Sequence, residues 1–442
     1  MTRSVAKSLQ PPDDGGFRAG VLRFFILRIL TIVAASSVGC DRGTDAGGVE
    51  LRVANWGGPA NLSEFLELDR GIQRAFEAAH ADRGVRVVIE QIPGEGQYTS
   101  KLMMMHLAGN MPDVAHLDAS SAAVFVDNGV MMDLSARIAS DPDVEEGMFF
   151  PNVVDIARRG EKVYALPLDF TPMVIVYNRR LFDRAGVAYP QEGWTREEFL
   201  TTCAALKQRP PSEREVWYPI DFFNWMPGWY PFLLAGGGDV LTSDGRGAVG
   251  ALNAPASVAS LRFIVDMILR DGYAPHPRVR TAVGKDLFRA ELSAMTLTGH
   301  WMMLEYRRDG LDVGVVSVPH TGERKTVMYA CSLAIPVQAR NPDLAWAFVK
   351  HMTSTEVQKL RNSTGLAISA NRAAAEALAT DDVEGAFLRE VRFARPPWGA
   401  RVERYPVIEE FGWEMMEDVL HGGVSVETAA SETAKLIEHE LQ

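Results

Sequence analysis

Two tryptophans directly follow apolar runs with the character of buried strands, and each has a glycine beside it. Trp56 lies in VANWGGPAN, before Gly57, and Trp301 follows Gly299 and His300 in AMTLTGHW. A turn after a strand favours small residues, so a bulky indole there needs another explanation. In open α/β sheets, ligands bind in the crevice beyond the carboxyl ends of the strands. We therefore expect Trp56, Gly57, His300 and Trp301 to line one ligand site.

A second concentration of rings lies in WYPIDFFNWMPGWYPF, residues 217–232. Eight of these sixteen residues are aromatic, whereas the chain as a whole has 9%. The prolines and Gly228 predict irregular backbone rather than a regular helix or strand. Rings in irregular backbone are hard to pack as an ordinary core, so we expect Trp225 and Trp229 to line a cavity. The alternative is that most of these rings fill the interior of their lobe.

Motifs of the common enzyme classes are missing from the sequence. It contains no G-x-S-x-G, H-E-x-x-H, Walker A or C-x-x-C pattern, and no two histidines are spaced i, i+4. Nucleophilic hydrolases, zinc proteases and P-loop enzymes are therefore disfavoured. We predict no catalytic residues, no cofactor and no metal site. Paired carboxylates stay open, because two acids can meet from any distance along the chain.

The elements that must position these residues follow an alternating pattern. Residues 49–53 and 85–89 alternate apolar and polar side chains as strands do, while residues 65–76 and 98–105 repeat apolar side chains at helical spacing. Residues 111–114 then open a third strand. This βαβα order predicts a mostly parallel sheet with helices packed on it, which is an α/β fold.

Later segments predict a crossing between lobes and several helices. The run YALPLDFTPMVIVYNRRLF contains two prolines, which interrupt a continuous strand and suit a chain passing from one lobe to another. Thr195 and Glu198 form a capping box that begins a helix. A strand is expected over residues 293–298. Pro342 begins another helix, and a second follows from Thr353.

Length and charge limit the class of protein. A chain of 442 residues fits two domains, and 47% hydrophobic with 23% charged residues is typical of a folded protein. The net charge is −12, and it becomes about −15 without the basic leader. So acidic a surface repels phosphate backbones, which excludes nucleic acid as a partner.

The first residues predict an export signal. FFILRILTIVAASSVGC is too short to span a membrane comfortably and ends in small residues before Cys40. It resembles a bacterial lipoprotein signal, with residues 1–39 removed, Cys40 lipidated and residues 40–48 forming a polar tether. The alternative is an ordinary secretory signal in which Cys40 is incidental. Cys203 and Cys331 are expected to be buried free thiols, although a disulfide between them is possible.

Several segments together resemble a known family. The segments are VANWGG, LAGNMPDV, NGVMMDL, YALPLDFTPMVIVYN, CSLAIP and GGVSVETAASETAKLI, and their order and spacing are more specific than any one of them. From Val49 to the C-terminus, the chain resembles the family-1 extracellular solute-binding proteins, the carbohydrate receptors of bacterial ABC importers. It departs from the family pattern at Ser369, where a proline is common, and at residues 330–332, where glycines are common.

The resemblance implies a two-lobe, periplasmic-binding-protein-like (type II) fold with hinge crossovers and a ligand cleft. It places residues 49–170 and about 331–375 in the N-lobe, and residues 171–330 and about 376–442 in the C-lobe. The implied ligand is a sugar or oligosaccharide, captured by hinge closure and delivered to the permease subunits of an importer by a membrane-anchored monomer. The alternatives are a secreted carbohydrate-active enzyme, or the same receptor fold with a non-sugar ligand.

The resemblance also indicates how candidate residues would act on a sugar. Its C–H faces stack on indoles, and its hydroxyls need hydrogen-bond partners once buried. We expect stacking from four tryptophans and polar contacts from four further residues: Trp56, Trp225, Trp229 and Trp301, then Asp118, Asp169, His300 and Tyr329. Alternatives remain for four of them: Trp56 as an indole folded back on its own lobe, Asp118 as a helix cap, Asp169 in a pair within the hinge, and His300 as a structural histidine.

Overall fold

The computed structural model describes residues 48–55, 63–92, 95–210, 216–363, 365, 367–379 and 381–442. The leader, Cys40, Trp56 and Gly57 lie outside these residues. The described strands are β1 (Glu50–Asn55), β2 (Arg86–Gln91), β3 (Val114–Asp118), β4 (Arg158–Arg159), β5 (Lys162–Val163), β6 (Ala165–Pro172), β7 (Val174–Asn178), β8 (Tyr218–Asp221), β9 (Ser293–Thr298), β10 (Val313–Val316), β11 (Thr326–Ala334), β12 (Ile368–Ser369) and β13 (Ala394–Arg395).

The α-helices of the described residues alternate with these strands or pack around them. They are α1 (Ser63–Ala79), α2 (Glu95–Leu107), α3 (Ala122–Val126), α4 (Ser135–Ser140), α5 (Pro151–Val154), α6 (Arg179–Ala185), α7 (Arg196–Gln208), α8 (Met226–Ala235), α9 (Pro255–Leu269), α10 (Pro277–Val283), α11 (Met303–Arg308), α12 (Pro342–Thr353), α13 (Thr355–Asn362), α14 (Arg372–Leu378), α15 (Asp382–Glu390), α16 (Tyr405–Leu420) and α17 (Val426–Glu440).

The first sheet has the strand order β12-β6-β11-β3-β1-β2, and β13 adds to β11. β1 pairs in parallel with β2 and β3, as the βαβα pattern predicted, whereas β11 runs antiparallel to β3 and β6. The alternation in β1 buries Leu51 and Val53 against Ile72 and Phe76 of α1. This mixed pairing shows that the prediction of a mostly parallel sheet holds only for its first three strands.

The second sheet has the order β10-β7-β9-β8. β8 and β9 are parallel, and β7 runs antiparallel to β9 and β10. One face packs on the cluster that contains Ile175, Met295 and Leu297, and the other face turns Val174 and Val176 towards α11 and α15. Because both faces are covered, β7 and β10 are mostly apolar runs rather than clean alternations.

The chain passes between the two sheets beside the start of β11. β6 leaves the first sheet at Pro172, and after Met173 the chain continues as β7 in the second. β11 begins beside this crossing, because the amide of Met173 donates to the carbonyl of Val327 at 2.9 Å. β13 pairs with the first residues of β11. The crossing predicted from the two prolines is therefore present at residues 172–174.

The aromatic run 217–232 is more regular than its prolines predicted. It forms strand β8 and helix α8, since Pro227 occupies the first turn of α8, where a missing backbone donor costs little. Gly228 permits a close contact here, because a Cβ on it would lie 2.1 Å from the carbonyl oxygen of Phe223.

One predicted helix start is confirmed, and another lies two residues further along the chain. Thr195 and Glu198 form the predicted capping box of α7. The helix after α12 begins at Thr355 with Ser354 as its cap, not at Thr353. Thr353 is buried, and its hydroxyl donates to the carbonyl of Val349 within α12.

Cys203 and Cys331 are both buried and free, as expected. Among the described residues, no helix is long and apolar enough to cross a membrane.

Candidate functional site

The two sheets face each other at their carboxyl edges. β6 runs parallel to β3, because both are antiparallel to β11, and Asp169 of β6 lies level with Asp118 at the end of β3. Beyond the crossing, β7 begins level with Thr298, the last residue of β9. The ends of β3 and β6 on one side and of β9 on the other therefore meet at residues 172–174. A crevice at this position is where α/β sheets bind ligands.

Carboxylates line the edge of the first sheet. Cys331 pairs with both Asp118 and Asp169, and Ser369 of β12 pairs with Asp169. Residues directly opposite each other on neighbouring strands share a face, so these side chains form one row. The Oδ1 of Asp118 accepts a 2.7 Å hydrogen bond from the amide of Ser120. Asp118 thus closes a local turn, whereas the cap of α3 is Ser121.

A guanidinium from α13 lies over this row. Arg361 donates to Asp69 of α1 at 2.5 Å, and its second nitrogen lies 3.8 Å from the carboxylate of Asp169. Burial raises the pKa of Asp169 to about 6, although Arg361 acts in the opposite direction. Asp169 therefore changes its protonation near neutral pH while about 24% of its side chain stays accessible.

The same environment acts on a histidine two residues before Asp118. Burial, with Arg361 as a smaller contribution, lowers the pKa of His116 to about 3. At neutral pH His116 is uncharged, whereas Arg361 supplies a positive charge beside Asp69 and Asp169.

The edge of the second sheet carries a buried ion pair beneath an aromatic ring. Asp221, the last residue of β8, is held by both terminal nitrogens of Arg280 at 3.1 Å. The guanidinium carbon of Arg280 lies 3.3 Å from the ring centre of Phe223. This stack fixes the underside of Phe223 and leaves 49% of the residue exposed.

Two further exposed rings lie near Phe223. Trp225, at the start of α8, is 42% exposed, and Trp413 of α16 is 48% exposed. Asn224 donates a hydrogen bond to Glu417, which lies one helical turn after Trp413. Large exposed rings grouped in this way indicate a binding surface, because a folded protein usually buries them.

Trp301 follows β9 and is half-buried. Its indole lies on Gly299, where a Cβ would be 2.3 Å from Cζ3 of the ring. The backbone of Gly299 is extended, with φ −99° and ψ −178°, so a glycine is required there by the indole and not by the backbone. The glycine before this tryptophan therefore seats the ring.

His300 does not present its ring to the crevice. It is 1% exposed, and its Nε2 lies 2.9 and 3.1 Å from the two carboxylate oxygens of Glu384. The interpretation of His300 as a structural histidine fits this placement, and direct ligand contact by its side chain does not. Sequence reasoning missed Glu384, which lies 84 positions away.

Two other predicted residues lie inside the protein. Trp229 is 0% exposed, in the core with Met226 and Gly412 around it, so our prediction that it stacks on a ligand is wrong for this conformation. The cause is the unexpected regularity of α8: all of its residues are buried, whereas Trp225 precedes the helix and stays exposed. Tyr329 is 8% exposed and pairs with Thr171 on the crossing strand β6.

Several residues at this site had no signal in the sequence. Arg361 and Asp69 are 292 positions apart, and Arg280 and Trp413 lie in helices without a motif. Phe223 lies in the aromatic run, two residues after the end of β8 at Asp221, and its position could have marked it as a ligand-binding candidate. No group of three or more His, Cys, Asp or Glu side chains in the described ranges is arranged to hold a metal ion.

Comparison with known proteins agrees with this architecture. A putative binding protein of Brucella abortus is 24% identical over 339 residues, covering 73% of this chain and 74% of that protein. An ABC substrate-binding protein of Listeria monocytogenes, solved with cycloalternan, superposes with a TM-score of 0.78 at 20% identity, over 89% of this chain and 99% of that one.

The sugar-binding protein MalE of Xanthomonas citri superposes with a TM-score of 0.76 at 20% identity, over 89% of this chain and 97% of that chain. These structures share the two-lobe periplasmic-binding-protein fold that the sequence predicted. The sequence model of the bacterial extracellular solute-binding proteins matches residues 60–359. Because this match covers more than half of the chain, the protein belongs to the family of bacterial extracellular solute-binding proteins.

Proposed function

We propose that this protein is the receptor of an ABC importer and captures a sugar or oligosaccharide in the crevice between the carboxyl edges of its two sheets. The observation that carries this proposal is the contrast between the two edges. Phe223, Trp225 and Trp413 are exposed on one side, and Asp118 and Asp169 lie on the other. A sugar has both apolar C–H faces and hydroxyl donors, and it satisfies both edges at once.

The charges of the site favour an uncharged ligand over an anionic one. At the first edge, Asp69, Asp118 and Asp169 outnumber Arg361. At the second edge, Arg280 already makes a bidentate contact with the carboxylate of Asp221. A sugar phosphate or a uronic acid would meet these carboxylates without a free cation among the residues named, whereas neutral hydroxyls can donate to them.

Capture by closure follows from the same arrangement. We propose an N-lobe of residues 49–170 and about 331–375, and a C-lobe of residues 171–330 and about 376–442, which close on the ligand by bending at the crossing segments. Trp56 and Gly57 come directly after β1 and are proposed to contribute to the N-lobe side. A ligand bridging both lobes stabilises the closed form by its greater affinity for it.

A panel of sugars tests this function. We expect the chain from Asp41 onwards to gain thermal stability with one class of mono- or oligosaccharide and with no anionic analogue of it, because a ligand that binds only the folded state stabilises it. The recovered sugar should be chemically unchanged, as for a receptor. A flat response across the panel would contradict sugar binding, and turnover of the sugar would indicate an enzyme instead.

We further propose that Cys40 is lipidated and holds the receptor at the cell membrane, close to its permease. The support is the apolar stretch that ends in small residues before Cys40. In cells, Cys40→Ser should move the protein from the membrane fraction to the soluble extracytoplasmic fraction. Cys203→Ser is the matched control, because that thiol is buried. Unchanged membrane retention of Cys40→Ser would refute anchoring at this residue.

A further inference from the structure

The side chain of His300 is held by a charged group from another part of the chain. Its Nε2 contacts both carboxylate oxygens of Glu384 on α15, and Arg307 of α11 donates to the same carboxylate. Phe387, one turn further along α15, packs edge-on against the imidazole at 4.9 Å. A carboxylate can only accept hydrogen bonds, so Nε2 must carry a proton, and this fixes the orientation of the ring.

The backbone of His300 is held as well. Its amide donates a 2.7 Å hydrogen bond to the hydroxyl of Thr171. Thr171 lies two residues after Asp169 on β6, directly before the chain crosses to the second sheet. His300 is therefore fixed on one side to α15 and on the other to the crossing strand.

The next residue is Trp301, whose indole lies against Gly299. The two neighbours of His300 are thus in contact: Gly299, which precedes it, packs against the indole of Trp301, which follows it. Any rotation of the peptide at His300 would tilt the indole, and rotation is opposed by both the Glu384 and the Thr171 contacts. A residue with these contacts determines where Trp301 points.

We propose that His300 is a positioning residue for ligand capture: it sets the affinity of the site by fixing the indole of Trp301 in the crevice, and it does not touch the ligand. This proposal rests on the proposed function and on the expectation from the sequence that Trp301 stacks on the bound sugar. In this segment only Trp301 contacts the ligand. His300, Glu384 and Thr171 keep the indole of Trp301 in place.

A double-mutant cycle tests the proposal, because residues that act through one another have non-additive effects. The dissociation constant of the sugar found in the panel is measured for the wild type, His300→Leu, Trp301→Ala and the double variant. We expect His300→Leu to weaken binding about tenfold in the wild-type background and less than about twofold when Trp301 is already alanine. His300→Gln should restore most of the affinity, because its amide can donate to Glu384 from about the same place.

The matched control is His320→Leu. The Nε2 of His320 lies 3.1 Å from the carbonyl oxygen of Gly193, so this ring is held through the same nitrogen as that of His300. His320 lies beside the start of α7, away from Trp301 in the chain. Its replacement should leave the dissociation constant unchanged. Effects of His300→Leu and Trp301→Ala that simply add would overturn the proposal, and so would an unchanged affinity of His300→Leu. Where His300→Leu does not fold, Glu384→Gln is measured in the same two backgrounds with the same criteria.

A readout without ligand separates this inference from the proposed function. The share of Trp301 in the fluorescence is obtained by comparing each protein with its Trp301→Phe counterpart, and acrylamide reports how accessible that indole is. We expect greater quenching of Trp301 in His300→Leu than in the wild type. If no sugar binds the wild type but this change occurs, the proposed function fails and the positioning role stands. Identical quenching of Trp301 in both proteins overturns the positioning role.

Discussion

Gly299→Ala should weaken ligand binding while leaving the fold intact. The new Cβ would lie 2.3, 2.6 and 2.7 Å from three ring atoms of Trp301. Carbon atoms in favourable contact are about 3.5–4.0 Å apart, so the indole must retreat by about 1 Å or more. Its backbone, with φ −99°, accepts alanine without strain. The cost therefore falls on the position of the ring and not on the main chain.

The size of the effect follows from the contact that the ring would lose. One indole face on a sugar covers roughly 60–80 Å², which is worth about 2 kcal/mol at about 25 cal/mol per Å². A ring displaced by about 1 Å loses much of this contact, and we expect the dissociation constant to rise by about ten- to thirtyfold. The free energy of unfolding without ligand should change by less than about 1 kcal/mol, since a side chain can move aside.

Isothermal titration with the sugar from the panel measures the first quantity, and urea unfolding measures the second. Gly322→Ala is the matched control, because a Cβ there meets nothing within 4 Å. Trp301→Ala sets the upper limit of the loss. An affinity of Gly299→Ala within twofold of the wild type, with the fold intact, would refute the reasoning that Trp301 contacts the ligand from its seat on Gly299.

Three further outcomes are expected. Burial raises the pKa of Asp169 to about 6, so the affinity for the sugar should fall as the pH drops below about 6, because a protonated carboxyl is a poorer acceptor. The free energy of unfolding without ligand should rise by up to about 3 kcal/mol over the same fall towards pH 4, because the folded state binds the proton more tightly. Asp169→Asn should remove the fall in affinity and reduce the gain in stability in titrations between pH 4 and 8; part of that gain persists, because burial also raises the pKa of Asp221 to about 7. A full wild-type profile in this variant contradicts the assignment. Asp239 accepts hydrogen bonds from Tyr230, Trp398 and Arg395, so Asp239→Asn should lower the free energy of unfolding in urea by about 3 kcal/mol, whereas Asp343→Asn, at an 88% exposed side chain, should have little effect. Burial raises the pKa of the Cys203 and Cys331 thiols well above the usual range. In Cys40→Ser protein, a thiol reagent should therefore label neither cysteine before unfolding and both afterwards. Rapid labelling of the native protein would show that these thiols are accessible.

Local patterns in the sequence were enough to predict several elements of the fold. The strand predicted over residues 293–298 is β9, and the cap at Thr195 and the proline at 342 begin α7 and α12. These features depend on neighbouring residues, since alternation, capping and a first-turn proline act within a few positions. The α/β class followed from the order of such local elements, and the family was indicated by the resemblance of segments such as VANWGG and CSLAIP.

The orientation of individual side chains could not be predicted in the same way. Trp225 and Trp229 are four residues apart in the same aromatic run, yet one is exposed and the other fully buried. Trp225 precedes α8, whereas Trp229 lies within it, and the whole helix is buried because it packs against β11, α9 and α16 from distant parts of the chain. Composition shows that rings are plentiful but cannot tell which of them meets solvent.

The sequence alone determined that this chain is an acidic, two-lobe solute-binding protein, with rings and carboxylates placed after strand ends. Only the tertiary structure decided that Arg361 joins Asp69 beside Asp169, and that the side chain of His300 is buried against Glu384. The physical reason is distance along the chain. A side-chain contact between residues 84 or 292 positions apart leaves no periodic or local trace, because it exists only once the sheets and helices have packed.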